Sequence, residues 1–244
     1  MRGFGREGLS EEALAGRLTA RPPAGRAYGR EPAGEFPLGL GDGRDGILVV
    51  PKSYDPAVPT PLMIALHGAG SGAERILNRL GETARAYGAI IVAPDSRDVT
   101  WDILRGGYGP DIAFLDRVLN RIFDRFHVDP AHLAVEGFSD GASYGLSIGI
   151  ANGDLFSHII SNSPGFVAPP GQAGSPKIYI SHGTEDAVLP IDMCSRLFVQ
   201  LLERVGYDLT YREFQGPHTL PPEVLVEMLA WWLGDWAPGS AEGS

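Results

Sequence analysis

Cysteine is nearly absent. Cys194 stands alone among 244 residues, so no intrachain disulfide can form. A solitary cysteine reads as a small buried apolar side chain in preference to a catalytic thiol. Long apolar runs are missing too, and no uninterrupted stretch reaches the roughly 20 residues that a membrane-spanning helix needs. The first thirty residues alternate Arg, Gly, Ala and Glu without an apolar segment of the secretory kind, so a soluble cytoplasmic location is the expectation. Basic residues are in deficit: Lys plus Arg total 20 against 30 for Asp plus Glu, a formal net charge of −10. That balance argues against a binder of nucleic-acid backbones, which needs a basic footprint. Metal-ligand spacing is also lacking, because His127, Asp129 and His132 form too irregular and isolated a group. Neither a metal nor another cofactor is expected.

Hydrophobic residues make up 43% of the chain, enough for one large core. Residues 1–46 differ from the rest. Ser10, followed by Glu11 and Glu12, has the character of an N-cap for a short helix running to Leu18. Pro22, Pro23, Pro32 and Pro37 then break the chain into a loop-rich arm, a loose tail or a packed strap. From residue 47, short apolar runs alternate with helical stretches. Strands are expected at Ile47–Val50, Leu62–Leu66, Ala89–Ala93, Leu133–Glu136, His158–Asn162 and Lys177–Ser181, with Leu209–Phe214 nearer an edge. Helices are expected at about 73–87, 111–126, 141–151, 190–205 and 221–235. Such alternation implies an α/β fold with a doubly wound, mostly parallel sheet and helices on both faces. One domain over 47–236 follows, with 237–244 as a flexible tail.

The sharpest local signal is Gly137-Phe138-Ser139-Asp140-Gly141, set between an apolar strand and a helix rich in small residues. A G-x-S-x-G turn in that setting holds a serine in a strained conformation with its Oγ exposed above the sheet. Such a serine needs a base, ordinarily a histidine oriented by a carboxylate. In this arrangement the acid and then the histidine follow the serine along the chain. Of the six histidines, His67, His127 and His132 precede Ser139. His158 opens a strand, and His182 comes ahead of the acidic pair. His218, in the loop Gly216-Pro217-His218-Thr219, is left as the base. Asp186 leads as the acid, Glu185 trails, and Asp192 falls in the first turn of a helix where a solvated role is simpler.

Oxyanion chemistry needs backbone donors as well. The amide after the nucleophile, on Asp140, is one. The glycine-rich turn His67-Gly68-Ala69-Gly70-Ser71-Gly72 supplies the other, with Ala69 preferred over Gly70. Neither GxxxxGKS/T nor GxGxxG fits that turn, which removes a phosphate-cradling loop. His67 orders the turn and does not titrate in catalysis.

Together, Leu66–Gly70, Val92–Asp95, Gly137–Gly141, His182–Asp186 and Gly216–His218 resemble the α/β-hydrolase superfamily, in its phospholipase/carboxylesterase-like branch of compact serine esterases. The resemblance implies the triad Ser139, Asp186 and His218, and oxyanion amides on Ala69 and Asp140. It implies a small-molecule ester as substrate; a thioesterase, a phospholipid-directed acyl hydrolase, a peptidase or a non-catalytic binding protein of this fold are the alternatives. Little sequence lies between Gly137 and Pro190, so no large cap domain is expected over the cleft. Trp101, Leu104 and Tyr108, with Phe166 opposite, are the expected walls of a shallow pocket for short or compact acyl groups.

Overall fold

The computed structural model describes residues 7–40, 43–234 and 236; the C-terminal segment 237–244 lies outside them. Eight strands form one sheet: β1 (Gly34–Pro37), β2 (Gly46–Val50), β3 (Thr60–Leu66), β4 (Ile90–Pro94), β5 (Val128–Phe138), β6 (His158–Asn162), β7 (Lys177–Gly183) and β8 (Leu209–Phe214). Their order is β1-β2-β4-β3-β5-β6-β7-β8. All neighbours from β4 to β8 run parallel, whereas β1 and β2 pair antiparallel with each other and β2 pairs antiparallel with β4.

Each central strand feeds both faces because its side chains alternate. On β3, Leu62, Ile64 and Leu66 pack with helices α3 (Pro110–Arg125), α4 (Asp140–Ala151) and α5 (Ser195–Arg204). Met63 and Ala65 point the other way, toward α2 (Ala73–Ala86) and α6 (Pro222–Leu233). In α3 the stripe Ile112, Leu115, Val118, Leu119 and Ile122 is buried, as its spacing predicts. The helix expected at 190–205 is split. A 3-10 turn at Ile191–Met193 precedes α5, and Cys194 between them (φ −124°, ψ −106°) cannot continue a helix.

The arm adds structure that its composition conceals. Ser10 caps α1 (Glu11–Leu14), accepting the Ala13 amide at 3.2 Å, and the helix stops short of Leu18. Beyond it the chain lies against the domain with Leu18, Ala20 and Leu38 buried. Asn152, at the C-terminus of α4, receives the Leu18 amide on Oδ1 at 2.8 Å. Its Nδ2 donates to the carbonyls of Gly16 at 2.9 Å and Ile148 at 2.8 Å. Arg17 grips Asp154 with two hydrogen bonds of 3.0 and 2.9 Å. Asp116 accepts the amides of Thr19 and Ala20, each at 2.8 Å. The arm then supplies β1, the outermost strand on that side of the sheet.

This geometry makes Asn152 the fastener of the strap. Replacing it with Ala leaves the Leu18 amide and the Gly16 carbonyl without their partner, a loss of about 2 kcal/mol. Calorimetry should therefore show Asn152→Ala melting several degrees below the parent. An unchanged melting temperature would mean that the strap adds nothing to stability.

Candidate active site

β5 delivers the chain to Ser139, and α4 takes it away at Asp140. Ser139 sits at φ 59°, ψ −120°, a left-handed conformation that costs a non-glycine residue about 1–3 kcal/mol. Close packing enforces it. A Cβ on Gly137 would fall 2.2 Å from the Gly141 carbonyl oxygen, and one on Gly141 would fall 2.1 Å from that of Leu66. Only glycine fits at either place. The Ser139 amide donates to the Asn162 carbonyl at 3.0 Å, which ties the turn to β6. Below it, the Asn162 side chain donates to Glu136 at 2.9 Å and accepts from Ser181 at 2.6 Å. Burial pushes the Glu136 carboxyl up to about 8, against the opposing effects of the Asn162 hydrogen bond and the Arg79 charge.

Asp186 and His218 come from the loops after β7 and β8. His218 Nδ1 lies 2.6 Å from Asp186 Oδ2. The other carboxylate oxygen, Oδ1, accepts the amides of Val188 at 2.9 Å and Leu189 at 2.8 Å. Burial alone would raise the Asp186 pKa, but the Leu189 amide, His218 and the Val188 amide outweigh it and hold the carboxyl below its ordinary range. An ionised Asp186 fixes the proton of neutral His218 on Nδ1 and leaves the lone pair on Nε2. Glu185 is exposed, with its carboxylate 3.2 Å from Gln215 Nε2, while Asp192 pairs with Arg196 at 2.7 Å. Neither approaches His218 as Asp186 does.

His182 has a part that chain order obscured. It is buried, with Nε2 2.8 Å from the Leu189 carbonyl and 3.2 Å from Asp186 Oδ2, and Nδ1 2.7 Å from Ser195 Oγ. A carbonyl only accepts, so Nε2 carries the proton and Nδ1 accepts from Ser195. Burial holds its pKa below the usual histidine value. A neutral imidazole thus braces the loop that presents Asp186. Its place on β7, four residues before the acid, was the available signal.

The β3–α2 turn is built around His67. Its Nδ1–H donates to the Gly68 carbonyl at 2.7 Å and its Nε2 accepts the Ser96 amide at 3.0 Å. Burial lowers its pKa, so the neutral ring orders the turn. The Gly70 amide is already engaged by the Val99 carbonyl at 2.7 Å. Those of Ala69 and Asp140 have no acceptor among the described residues. Ala69, Gly68, Ser139 and His218 share one cleft of about 350 Å3. Its remaining walls are Ser71, Arg75, Ile76 and Arg79 from the α2 side, with Phe138 and Val188.

The expected pocket walls are not there. Trp101 is fully buried, stacks on Tyr144 with centroids 4.9 Å apart, and donates to the His67 carbonyl at 2.9 Å. Tyr108 is buried and donates to the Ala168 carbonyl at 2.9 Å. Half-buried Phe166 and exposed Leu104 do not line the cleft either. The reason is a carboxyl pair that folds this loop back onto the domain. Asp111 accepts the Arg97 and Asp102 amides at 2.6 and 2.7 Å, and Asp102 accepts those of Gly109 and Asp111, each at 2.9 Å. Among the described residues no cluster of three or more His, Cys, Asp or Glu side chains is placed to hold a metal, and no helix is long and apolar enough to cross a membrane.

A mostly parallel eight-stranded sheet with a serine elbow after β5 and carboxylate and histidine loops after β7 and β8 is the architecture of the α/β-hydrolase fold, which this chain adopts. Its sequence relatives are esterases. It is 31% identical to feruloyl esterase C of Emericella nidulans over 159 residues, 62% of this chain and 58% of that protein. It is 29% identical to a probable feruloyl esterase C of Aspergillus oryzae over 176 residues, 69% of this chain and 64% of that one. The chain thus spans about six-tenths of the length of these curated relatives. No family model matches it. Among solved structures, esterase PE8 superposes with a TM-score of 0.63 at 25% identity, covering 76% of this chain and 96% of that one. A ferulic acid esterase from Anaeromyces mucronatus, bound to ferulic acid, shares the fold at 17% identity with a TM-score of 0.59, covering 86% of this chain and 95% of that one.

The two acidic neighbours can be separated by kinetics. Asp186→Asn should lower kcat on an activated ester by several orders of magnitude, through loss of the Nδ1–H tautomer. Glu185→Gln should stay within about twofold of the parent. The reverse pattern would move the orienting role to Glu185.

Proposed function

We propose that this protein is a serine carboxylic-ester hydrolase that works through an acyl-enzyme. The observation that carries the reading is the 2.6 Å contact between Asp186 and His218, with His218 in the same cleft as the strained Ser139. His218 Nε2 takes the Ser139 proton as Oγ attacks the ester carbonyl. The developing oxyanion is received by the amides of Ala69 and Asp140. Collapse of the tetrahedral intermediate expels the alcohol, protonated by His218. Water, activated by the same nitrogen, then releases the acid and restores Ser139.

Substrate size follows from the cleft. At about 350 Å3 it is at the small end of ligand pockets, and Ile76, Phe138 and Val188 are its apolar walls. That suits short or compact acyl groups, a preference that now rests on these residues in place of Trp101 and Tyr108. The feruloyl esterase relatives make a compact arylacrylic acyl group a natural member of the same class.

Hydrolysis of 4-nitrophenyl acetate, butyrate and octanoate and of methyl ferulate tests this reading. Acetate, butyrate and ferulate esters should turn over, with kcat/KM declining at octanoate. Ser139→Ala should fold yet lose several orders of magnitude on all of them. Undiminished turnover by that variant would sink the mechanism, and a rise toward octanoate would sink the size argument.

A further inference from the structure

Among the described residues, two arginines in the catalytic cleft have no carboxylate partner. Arg75 and Arg79 lie four residues apart on α2, and both line the space that holds Ser139 and His218. Arg17, Arg85, Arg125, Arg196 and Arg212, by comparison, each make an ion pair of 2.9 Å or less, and none of these five lines the cleft. Among the described residues neither Arg75 nor Arg79 has a carboxylate within ion-pair distance. The Arg79 guanidinium rests on the Phe138 ring, 3.6 Å from its centroid. Glu136 acts on it electrostatically from within the core but makes no ion pair with it. Arg75 is exposed at the cleft.

These charges stand out against a chain of net charge −10, whose overall field repels anions. A guanidinium that faces a binding cleft without an internal partner keeps its donors for a ligand, and its fork matches an oxyanion group. We infer that Arg75 and Arg79 form a specificity site for an ester carrying a second, anionic group, a carboxylate or a phosphate, held beside the scissile bond. This deepens the serine-hydrolase reading and rests on it. The apolar walls would then seat the body of the substrate, while the arginine pair selects its charged end.

The test compares matched esters within each protein, so that folding and basal turnover cancel. Phenyl hemisuccinate against phenyl butyrate places the charge on the acyl side. Meta-carboxyphenyl acetate against phenyl acetate places it on the leaving group. At low ionic strength the anionic member of at least one pair should be favoured by about tenfold in kcat/KM, and the preference should shrink as salt screens it. Arg75→Glu and Arg79→Gln should each bring the ratio toward or below one, whereas Arg79→Lys, which keeps the charge, should retain most of it. Succinate and inorganic phosphate, tried as competitive inhibitors of phenyl acetate hydrolysis, distinguish a carboxylate from a phosphate as the preferred group. Ratios near one for both pairs in the parent enzyme, with phenyl acetate still hydrolysed, would overturn the arginine site and leave the hydrolase reading intact. Failure to hydrolyse any ester would overturn both.

Discussion

Leu66 at the end of β3 comes so close to the first turn of α4 that a side chain at residue 141 would collide with its carbonyl oxygen at 2.1 Å. That approach, with the matching one between Gly137 and Gly141, forces the chain to reverse sharply at Ser139 and take a positive φ. Much of the site depends on this crossing of backbones. It lifts Ser139 above the sheet, starts α4 at Asp140 so that its first amide stays unengaged, and brings Gly68 against Ser139, where a Cβ would be 3.3 Å from the serine's own. The strain is borne by the parallel pairing of β5 with β3 and β6, which fixes the strand that enters the turn.

A second set of constraints secures the charged partners. Asp186 is held by two backbone amides and His182, so its carboxylate meets His218 from a rigid mount. His182 itself is locked between the Leu189 carbonyl and Ser195 at the start of α5. At the other end of α4, the arm is fastened by Asn152. The helix that follows Ser139 is therefore anchored at both ends.

The parts of this architecture legible in the sequence are those set by local chemistry. Strands β3 and β4 are largely apolar runs buried along their whole length, so composition marks them. The elbow was readable because glycine is obligatory on both flanks of Ser139, and the order of serine, acid and histidine pointed to Asp186 and His218. Strand β1 was not readable: Gly34-Glu35-Phe36-Pro37 is a largely exposed edge segment with one large apolar residue and no alternation to detect. The packing of the arm depends on Asn152 and Asp154, more than a hundred residues away, which no local pattern encodes. Trp101 and Tyr108 were misplaced for a related reason. Their loop does follow a strand end, but the buried Asp102–Asp111 pair turns it into the core, and only the fold brings those carboxyls together with the amides they bind. The side of the cleft formed by α2 shows in the sequence only as a helical stretch, with Arg75 and Arg79 one turn apart on it.

The central claim is that the strained turn makes Ser139 the nucleophile. Reaction of the full chain with a fluorophosphonate, followed by peptide mass spectrometry, tests it most directly, since only an activated serine attacks such a reagent. The account predicts a single adduct on Ser139, abolished in Ser139→Ala and strongly slowed in His218→Ala. An adduct on any other residue, or none in preparations that hydrolyse esters, would contradict it.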